Sequence, residues 1–469
     1  MNNDHYEQIF TKHIESLYGP RINDETLLDN NPLPHEYCIN TRDDFTHINT
    51  YSIDPEGCED ADDAFSIYFE DTKLWLAIHI ADPTELINIK SPLWQDIENK
   101  IITKYPSNRK PIHMLPDKIM EMASLMENDY GNIKKAITIK TEIDKETYLP
   151  INRIKILFTN IKVKKENSLS YIEASTNIDT ILPLEYGLKI SEKLQEKRSK
   201  KTIGVKLNKM NASIIKYKNN IPYLYNNTPN EKKMKDMIGE FAIFANSFIG
   251  EYLKIYFNEY GIFRTCAATE FINNSEYAEM NGAELLHEII INGINAEYVN
   301  KCLPHDLVGS EEYTHFTSPI RRASDCICHY LLKYIQLNPN RNNNPNIKKP
   351  FSIDKLQELS NQCIINTTQN RKIQYKENKF RLIQIINTIL ITIIPVKITY
   401  YISSYISNYL NIIINRINNY NVHLSYTLRI ADYNYNSDNK TTYELNITRV
   451  KCPGKFDQGS IPELDKQFI

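Results

Sequence analysis

The sequence predicts an α+β chain: a mixed or antiparallel sheet with surrounding helices, followed by a small C-terminal β module. Three observations predict this. Phe65-Ser-Ile-Tyr-Phe69 alternates, and Leu74-Trp-Leu-Ala-Ile-His-Ile80 is a nearly continuous apolar run suited to a buried strand. Between residues 231 and 254 the apolar side chains recur at helical spacing. After Pro395 the texture shifts to Ile, Tyr, Thr and Val.

Taken in order, residues 1–36 are a polar N-terminal extension with several turn formers, expected to hold a short helix and an extended lead-in. The large domain is expected over 37–388. Its strands fall between about 48 and 90. Ile238, Phe241, Ala242, Ala245, Phe248, Ile249 and Tyr252 form the stripe of the helix at 231–254. Ser318-Pro319 reads as an N-cap followed by proline at the first helical position, with Ile320, Ala323, Ile327, Tyr330 and Leu331 as its stripe. A third, charged helix covers 354–385. The β module occupies 389–469, with a turn at Asn436–Asn439, and an OB-type barrel is its candidate form.

Composition narrows the function classes. With 55 basic and 58 acidic side chains the net charge is −3, which argues against coating nucleic acid by charge alone but leaves room for a basic channel. Lys162–Lys165, Lys197–Lys209 and Arg371–Arg381 read singly as solvated faces. The eight cysteines lack zinc-site spacing and no secretory segment precedes them, which points to reduced thiols in a cytoplasmic setting. The apolar stretch from Leu382 to Ile398 is interrupted by Gln384, Asn387 and Pro395, so no membrane span is expected. There is no P-loop and no Gly-x-Ser-x-Gly elbow. His287-Glu288 fails the zinc-protease pattern because Ile291 stands where the second histidine belongs.

The segment 51–65 places Asp54, Asp60, Asp62 and Asp63 within ten positions. Pro55 and Gly57 bar regular structure there, so a loop can converge side chains that a flat strand would send to opposite faces. Two carboxylates about 5 Å apart repel by roughly 3 kcal/mol at an effective dielectric of about 20. A hard divalent cation removes that cost, and all-oxygen ligation favours magnesium or manganese over zinc. The competing readings are a solvated acidic loop and a calcium loop. The calcium template fails from Asp60, where Phe65 takes the glycine position, and from Asp54, where Glu59 does.

Arg321 and Arg322 fall in the expected first turn of the helix begun by Ser318-Pro319. Cations are disfavoured at that end, but an arriving phosphate would pair with the free N–H groups and a guanidinium together. The alternative is an Arg321–Asp325 pair along the helix.

Together these segments resemble the ribonuclease II (RNB) family. Its pattern of Asp, five residues, Asp, one residue, Asp-Asp is met by Asp54, Asp60, Asp62 and Asp63. Leu76–Pro83 is similar to the strand that follows, Pro111–Pro116 to a proline-methionine-leucine-proline element, and His305–Gly309 with His315–Arg322 to the family's later motifs. The likeness runs in order from about 40 to 385. It implies that Tyr105 packs on a terminal base, that Tyr171 lies near the cleaved phosphate, and that Glu240 matches the second acid of an Ile-Glu-Glu helix. Departures are Gly239 for the first glutamate, Cys266 for a histidine and Ala323 for a tyrosine. The family usually carries two cold-shock barrels ahead of this domain, and fewer than 50 residues precede it here, so those barrels are expected to be lacking.

The resemblance implies a 3′→5′ exoribonuclease that converts single-stranded RNA to nucleoside 5′-monophosphates. Asp54, Asp60, Asp62 and Asp63 would hold magnesium, with manganese as the alternative, and Asp62, Asp63, Arg321 and Tyr171 would carry catalysis. Tyr105, Glu240 and Arg322 would contact RNA. The rival reading is a catalytically silent RNB-fold protein that binds RNA or serves in an assembly.

Overall fold

A computed structural model of the chain describes residues 3–151, 153–208, 210–257, 260–339, 348–392, 396–429, 442–447, 450–451 and 463–464. Helix α1 (Asn3–Tyr18) and a short 3-10 turn (Glu25–Leu28) lead into strand β1 (Asp43–Asp54). Strands β2 (Asp63–Glu70), β3 (Lys73–Ala81), β4 (Ile133–Ile143) and β5 (Lys155–Ser170) complete a closed barrel in sequence order. Helices α2 (Pro92–Lys100) and α3 (Asp117–Ala123) stand between β3 and β4. All neighbours are antiparallel except β1 and β5, whose parallel pairing closes the barrel. The expected strands thus lie at 43–81, and the chain after Ala81 turns instead into a 3-10 segment at Pro83–Glu85.

The alternation in β2 and the apolar run in β3 are explained by their places. β2 and β3 form a tight hairpin from Asp63↔Ile80 to Glu70↔Lys73, turned at Asp71, whose φ of 55° suits a primed turn. Leu74, Leu76, Ala77, Ile80 and Ala81 of β3 are wholly buried, because the strand packs on both faces. A polar belt crosses the barrel interior. Thr50 and Ser66 are 3.0 Å apart, Ser66 lies 3.0 Å from His79 Nε2, His79 Nδ1 2.8 Å from Thr138, and Thr138 2.7 Å from Thr159. One link comes from each strand, and since all five side chains are fully buried the belt must be complete to be tolerated.

Beyond β5 come α4 (Tyr171–Thr176), α5 (Leu182–Ser199), α6 (Val205–Asn208), the hairpin β6 (Ile214–Lys218) and β7 (Ile221–Tyr225), and α7 (Pro229–Phe257). α7 is the helix expected at 231–254. Phe241, Ala245 and Ile249 of its stripe are buried, and Phe241 meets Phe65 of the barrel edge-on with ring centroids 5.6 Å apart. A smaller lobe holds β8 (Phe263–Thr265), α8 (Thr269–Asn273), α9 (Ser275–Glu279), α10 (Gly282–Ile291) and β9 (Glu297–Val299).

Helix α11 (Ala323–Leu337) differs from expectation: it begins at Ala323, with Arg322 as its N-cap residue, not at Ser318-Pro319. The cause is Asp325 in its first turn. That fully buried carboxylate accepts the Ser318 N–H at 2.8 Å and Arg322 Nε at 2.9 Å, folding 318–322 back across the helix end. Arg321 and Arg322 therefore precede the helix, and Asp325 pairs with Arg322, not with Arg321.

Helix α12 (Ile353–Thr392) is longer than the expected 354–385. Its last turns bury Leu382, Ile386 and Leu390 against the C-terminal sheet of β10 (Val396–Ile406), β11 (Tyr409–Ile417), β12 (Tyr420–Arg429) and β13 (Thr442–Ile447). That sheet is antiparallel in the order β12-β11-β10-β13, and among the described residues it is open, so the closed barrel belongs to the large domain. The turn expected at Asn436–Asn439 lies outside the described residues. Among the described residues no helix is long and apolar enough to cross a membrane.

Candidate active site

Asp54 ends β1 and Asp63 begins β2, so the four aspartates sit on one loop at one end of the barrel. Gly57 takes a φ of +79°, and the Cys58 N–H reaches the Pro55 carbonyl at 3.1 Å, which turns the chain sharply. The returning arm is clamped by hydrogen bonds to its main chain: Ala61 N–H to Ser124 Oγ at 3.0 Å, Leu125 N–H to the Ala61 carbonyl at 2.9 Å, and Ala81 N–H to the Asp62 carbonyl at 2.8 Å. The parallel register of β1 with β5 sets Asp54 opposite Ser170. Ser170 caps α4 in a capping box with Glu173, so Tyr171 is delivered beside Asp54 at a fixed helix start.

Each carboxylate has a distinct environment. Asp62 accepts the Ile320 N–H at 2.8 Å and Arg321 Nε at 2.8 Å, while Arg321 also reaches Ser318 Oγ at 3.0 Å. Asp60 accepts the Tyr105 hydroxyl at 2.5 Å and the Cys58 thiol at 3.5 Å. Asp54 Oδ2 is buried without a hydrogen-bond partner.

Burial, then Asp63, Asp62 and Asp60, push the Asp54 carboxyl up to about 8. Burial raises Asp62 to about 7 against the pull of Arg321 and the Ile320 N–H, and raises Asp63 to about 6 against Arg321 and Arg322. Burial works against the charge of Arg321, but Asp62, Tyr105 and Asp63 outweigh it and raise its pKa. Its side chain remains 44% exposed, so the guanidinium can still meet a ligand from solvent.

The donor set is all oxygen, with an orphaned buried oxygen on Asp54 and carboxylates that feel one another's charge, which fits a hard divalent cation. Among the described residues, however, no three His, Cys, Asp or Glu side chains gather as a ready-made cage. Asp62 is held by Arg321 and Asp60 by Tyr105, so a cation would need those partners to give way.

Of the other expected site residues, Tyr105 and Tyr171 come to this end of the barrel. Tyr105 is 38% exposed and touches Asp60 through its hydroxyl. Burial, then the charges of Asp63 and Asp54, raise the Tyr171 hydroxyl. Arg322 is turned inward on Asp325, whose Oδ1 it meets at 2.8 Å. Glu240 is 2% exposed and is held by the Arg198 guanidinium, with Gln195 at 3.4 Å and Asn208 at 3.3 Å, none of them from the acidic loop.

Two participants were not read from the sequence. The Ile320 N–H is a backbone donor with no residue signature. Lys235, whose ammonium stands 5.4 Å over the Tyr171 ring, lies 64 positions away on α7 and reads only as a helical lysine.

The chain is similar to several known proteins. Human "Exosome complex exonuclease RRP44" is 24% identical over 335 residues, covering 63% of this chain and 34% of that protein. The chain thus spans about a third of the length of that curated relative. Among solved structures, "Mycoplasma genitalium RNase R in complex with ribose methylated single-stranded RNA" aligns with a TM-score of 0.73 at 17% identity, over 99% of this chain and 78% of that one. "Structure of yeast Ssd1, a pseudonuclease" aligns at 0.61 and 18% identity, over 82% of this chain and 50% of that one. These likenesses concern the fold. The RNB domain family matches residues 42–337, more than half of the sequence, and the chain belongs to that family.

Proposed function

We propose that this chain is a 3′→5′ exoribonuclease that hydrolyses single-stranded RNA to nucleoside 5′-monophosphates in the cytoplasm, using magnesium or, alternatively, manganese. The observation that carries the reading is the Arg321 guanidinium fixed over a four-aspartate loop at one end of the barrel. Asp54, Asp60, Asp62 and Asp63 would hold the cation, which supplies Lewis acidity and an activated water when bound. Arg321, partly exposed, would exchange Asp62 for the scissile phosphate and stabilise its growing charge. Tyr171, beside Asp54 and Asp63, would line the reacting phosphate, and the exposed face of Tyr105 would stack on the terminal base. Arg322 and Glu240, turned to Asp325 and Arg198, would bear on RNA indirectly, through the elements their ion pairs hold in place.

The test is digestion of 5′-labelled single-stranded RNA with magnesium. Stepwise shortening that Asp62→Asn abolishes supports the reading, and RNA left intact at every metal concentration sinks it. A second reading, an RNB-fold protein that binds RNA without cutting it, is favoured by the closed Arg321–Asp62 pair and by the sharing of this fold with a pseudonuclease. Retention of uncut RNA would identify that case.

A further inference from the structure

We propose that helix α1 and Glu377 of α12 form a brace that positions the Tyr105 loop against Asp60 and thereby sets how tightly the chain grips the 3′ end of RNA. The proposal rests on the reading of this site as an RNA site. Its starting point is that Tyr105 lies on a short loop closed at its base, where Lys104 and Ile112 exchange backbone bonds of 3.0 and 2.9 Å. On one side the loop reaches the acidic site through Tyr105 and Asp60, 2.5 Å apart.

Its other side is held by the N-terminal segment and α12. Lys104 Nζ donates to the Tyr18 carbonyl at 2.9 Å, and Arg21 Nε donates to the Pro111 carbonyl at 3.1 Å. Arg109 pairs with Glu15 at 3.2 Å. The hub is Glu377, 2% exposed, which accepts the Tyr18 hydroxyl at 2.9 Å and the Ser107 N–H at 3.1 Å, with Arg109 at 3.5 Å. Phe10 stacks on Phe380 at 3.8 Å, and Ile14, Tyr18, Ile112 and Ile373 complete the apolar contact that seats α1 on α12.

A carboxylate so deeply buried is tolerated only when its partners stay in place. Arg381, one turn along α12, stands 3.7 Å from it and could serve as a counter-charge without the loop. Instead the carboxylate takes a backbone N–H two residues from Tyr105, which fixes the main chain that carries a stacking ring. A loop ordered before RNA arrives does not have to be ordered by it, and each residue left to order on binding weakens affinity by roughly tenfold. The brace acts through Tyr105, so Glu377 and Tyr18 are positioning residues and touch no reacting atom.

The test uses the full chain as wild type, Tyr18→Phe, Glu377→Ala, Tyr105→Ala and the doubles with Tyr105→Ala. Three quantities are read: amide exchange of residues 104–112, anisotropy of a 5′-labelled single-stranded oligoribonucleotide in EDTA, and KM and kcat with magnesium. Glu377→Ala should speed exchange across the loop and weaken RNA binding about five- to tenfold, with KM rising in step. Its kcat should stay within about twofold. In the Tyr105→Ala background it should add less than about twofold, because the route through the ring is already gone.

Tyr18→Phe, which keeps the ring and loses one hydroxyl, should act in the same order with a smaller effect. It decides the matter if Glu377→Ala does not fold. Unchanged loop exchange, effects additive with Tyr105→Ala, or a wild type that does not bind RNA overturns the brace. Wild type that binds RNA in EDTA yet never cuts it instead refutes the nuclease reading, while exchange and anisotropy still judge the brace.

Discussion

Arg321 Nε donates to Asp62 at 2.8 Å, joining residues 259 positions apart and tying the loop ahead of α11 to the acidic loop of the barrel. The guanidinium neutralises the aspartate, and an incoming phosphate would compete for it. Arg321→Ala should lower kcat by about a hundredfold, and Arg321→Lys should recover little, because a lysine cannot span Asp62 and Ser318 with a planar fork. Single-turnover cleavage of labelled RNA reads both. Equal rates for the Arg321→Lys variant and wild type would remove the bidentate role.

Arg322 presents the opposite case, an arginine committed to the fold. It is the counter-charge of Asp325, which is fully buried and also receives the Ser318 N–H. Arg322→Ala should destabilise the chain by about 3 kcal/mol, since it strands a buried carboxylate. Urea unfolding would measure this. A midpoint equal to wild type would return Arg322 to a purely RNA-facing role.

What was legible in the sequence follows physical range. The β3 run and the α7 stripe are local periodicities, and burial on a barrel or a helix face enforces them directly. The acidic loop was legible because Pro55 and Gly57 forbid regular structure where four carboxylates crowd. The start of α11 was not, because Ser318-Pro319 has good local capping chemistry that Asp325 overrides through tertiary bonds. The partners of Glu240 were equally hidden: Arg198 lies 42 positions away and nothing in either helix marks the pair. The belt from Thr50 to Thr159 reads in sequence as scattered polar residues, and only barrel closure reveals it as one chain.

His79, at the centre of that belt, gives a pH prediction. Burial lowers its pKa to about 3, so the folded protein holds it neutral. Below about 6.5 the unfolded chain binds a proton that the native state refuses, so the stability due to neutral His79 is present above that pH and is lost as pH falls. His79→Gln, which carries no titrating group, should therefore gain on wild type by about 2 kcal/mol between pH 6.5 and 5. Chemical denaturation of both proteins at the two pH values checks this, and parallel stability profiles would contradict it.

Tyr105 separates ring from hydroxyl. Tyr105→Phe removes only the bond to Asp60, whereas Tyr105→Ala removes the exposed face as well. Stacking on an aromatic ring is worth about 1–3 kcal/mol per base, so Tyr105→Ala should weaken binding of single-stranded RNA by about tenfold or more. Tyr105→Phe should leave binding nearly unchanged. Anisotropy in EDTA compares the two, and equal losses would assign the effect to the hydroxyl.

Asp54 offers the sharpest test of the cation itself, because its orphaned oxygen is the least committed ligand of the four. A cation that binds only the folded chain stabilises it by mass action, by about 1.4 kcal/mol at tenfold its dissociation constant. Magnesium should therefore raise the melting temperature of the RNA-free protein, and EDTA should reverse the rise. Burial, then Asp63, Asp62 and Asp60, disfavour the charged form of Asp54, so Asp54→Asn, which is neutral at any pH, should be at least as stable as wild type without metal. It should also lose the magnesium response. A magnesium shift of equal size in both proteins would place the ion elsewhere, and no shift in wild type would mean that these aspartates alone do not form the metal site.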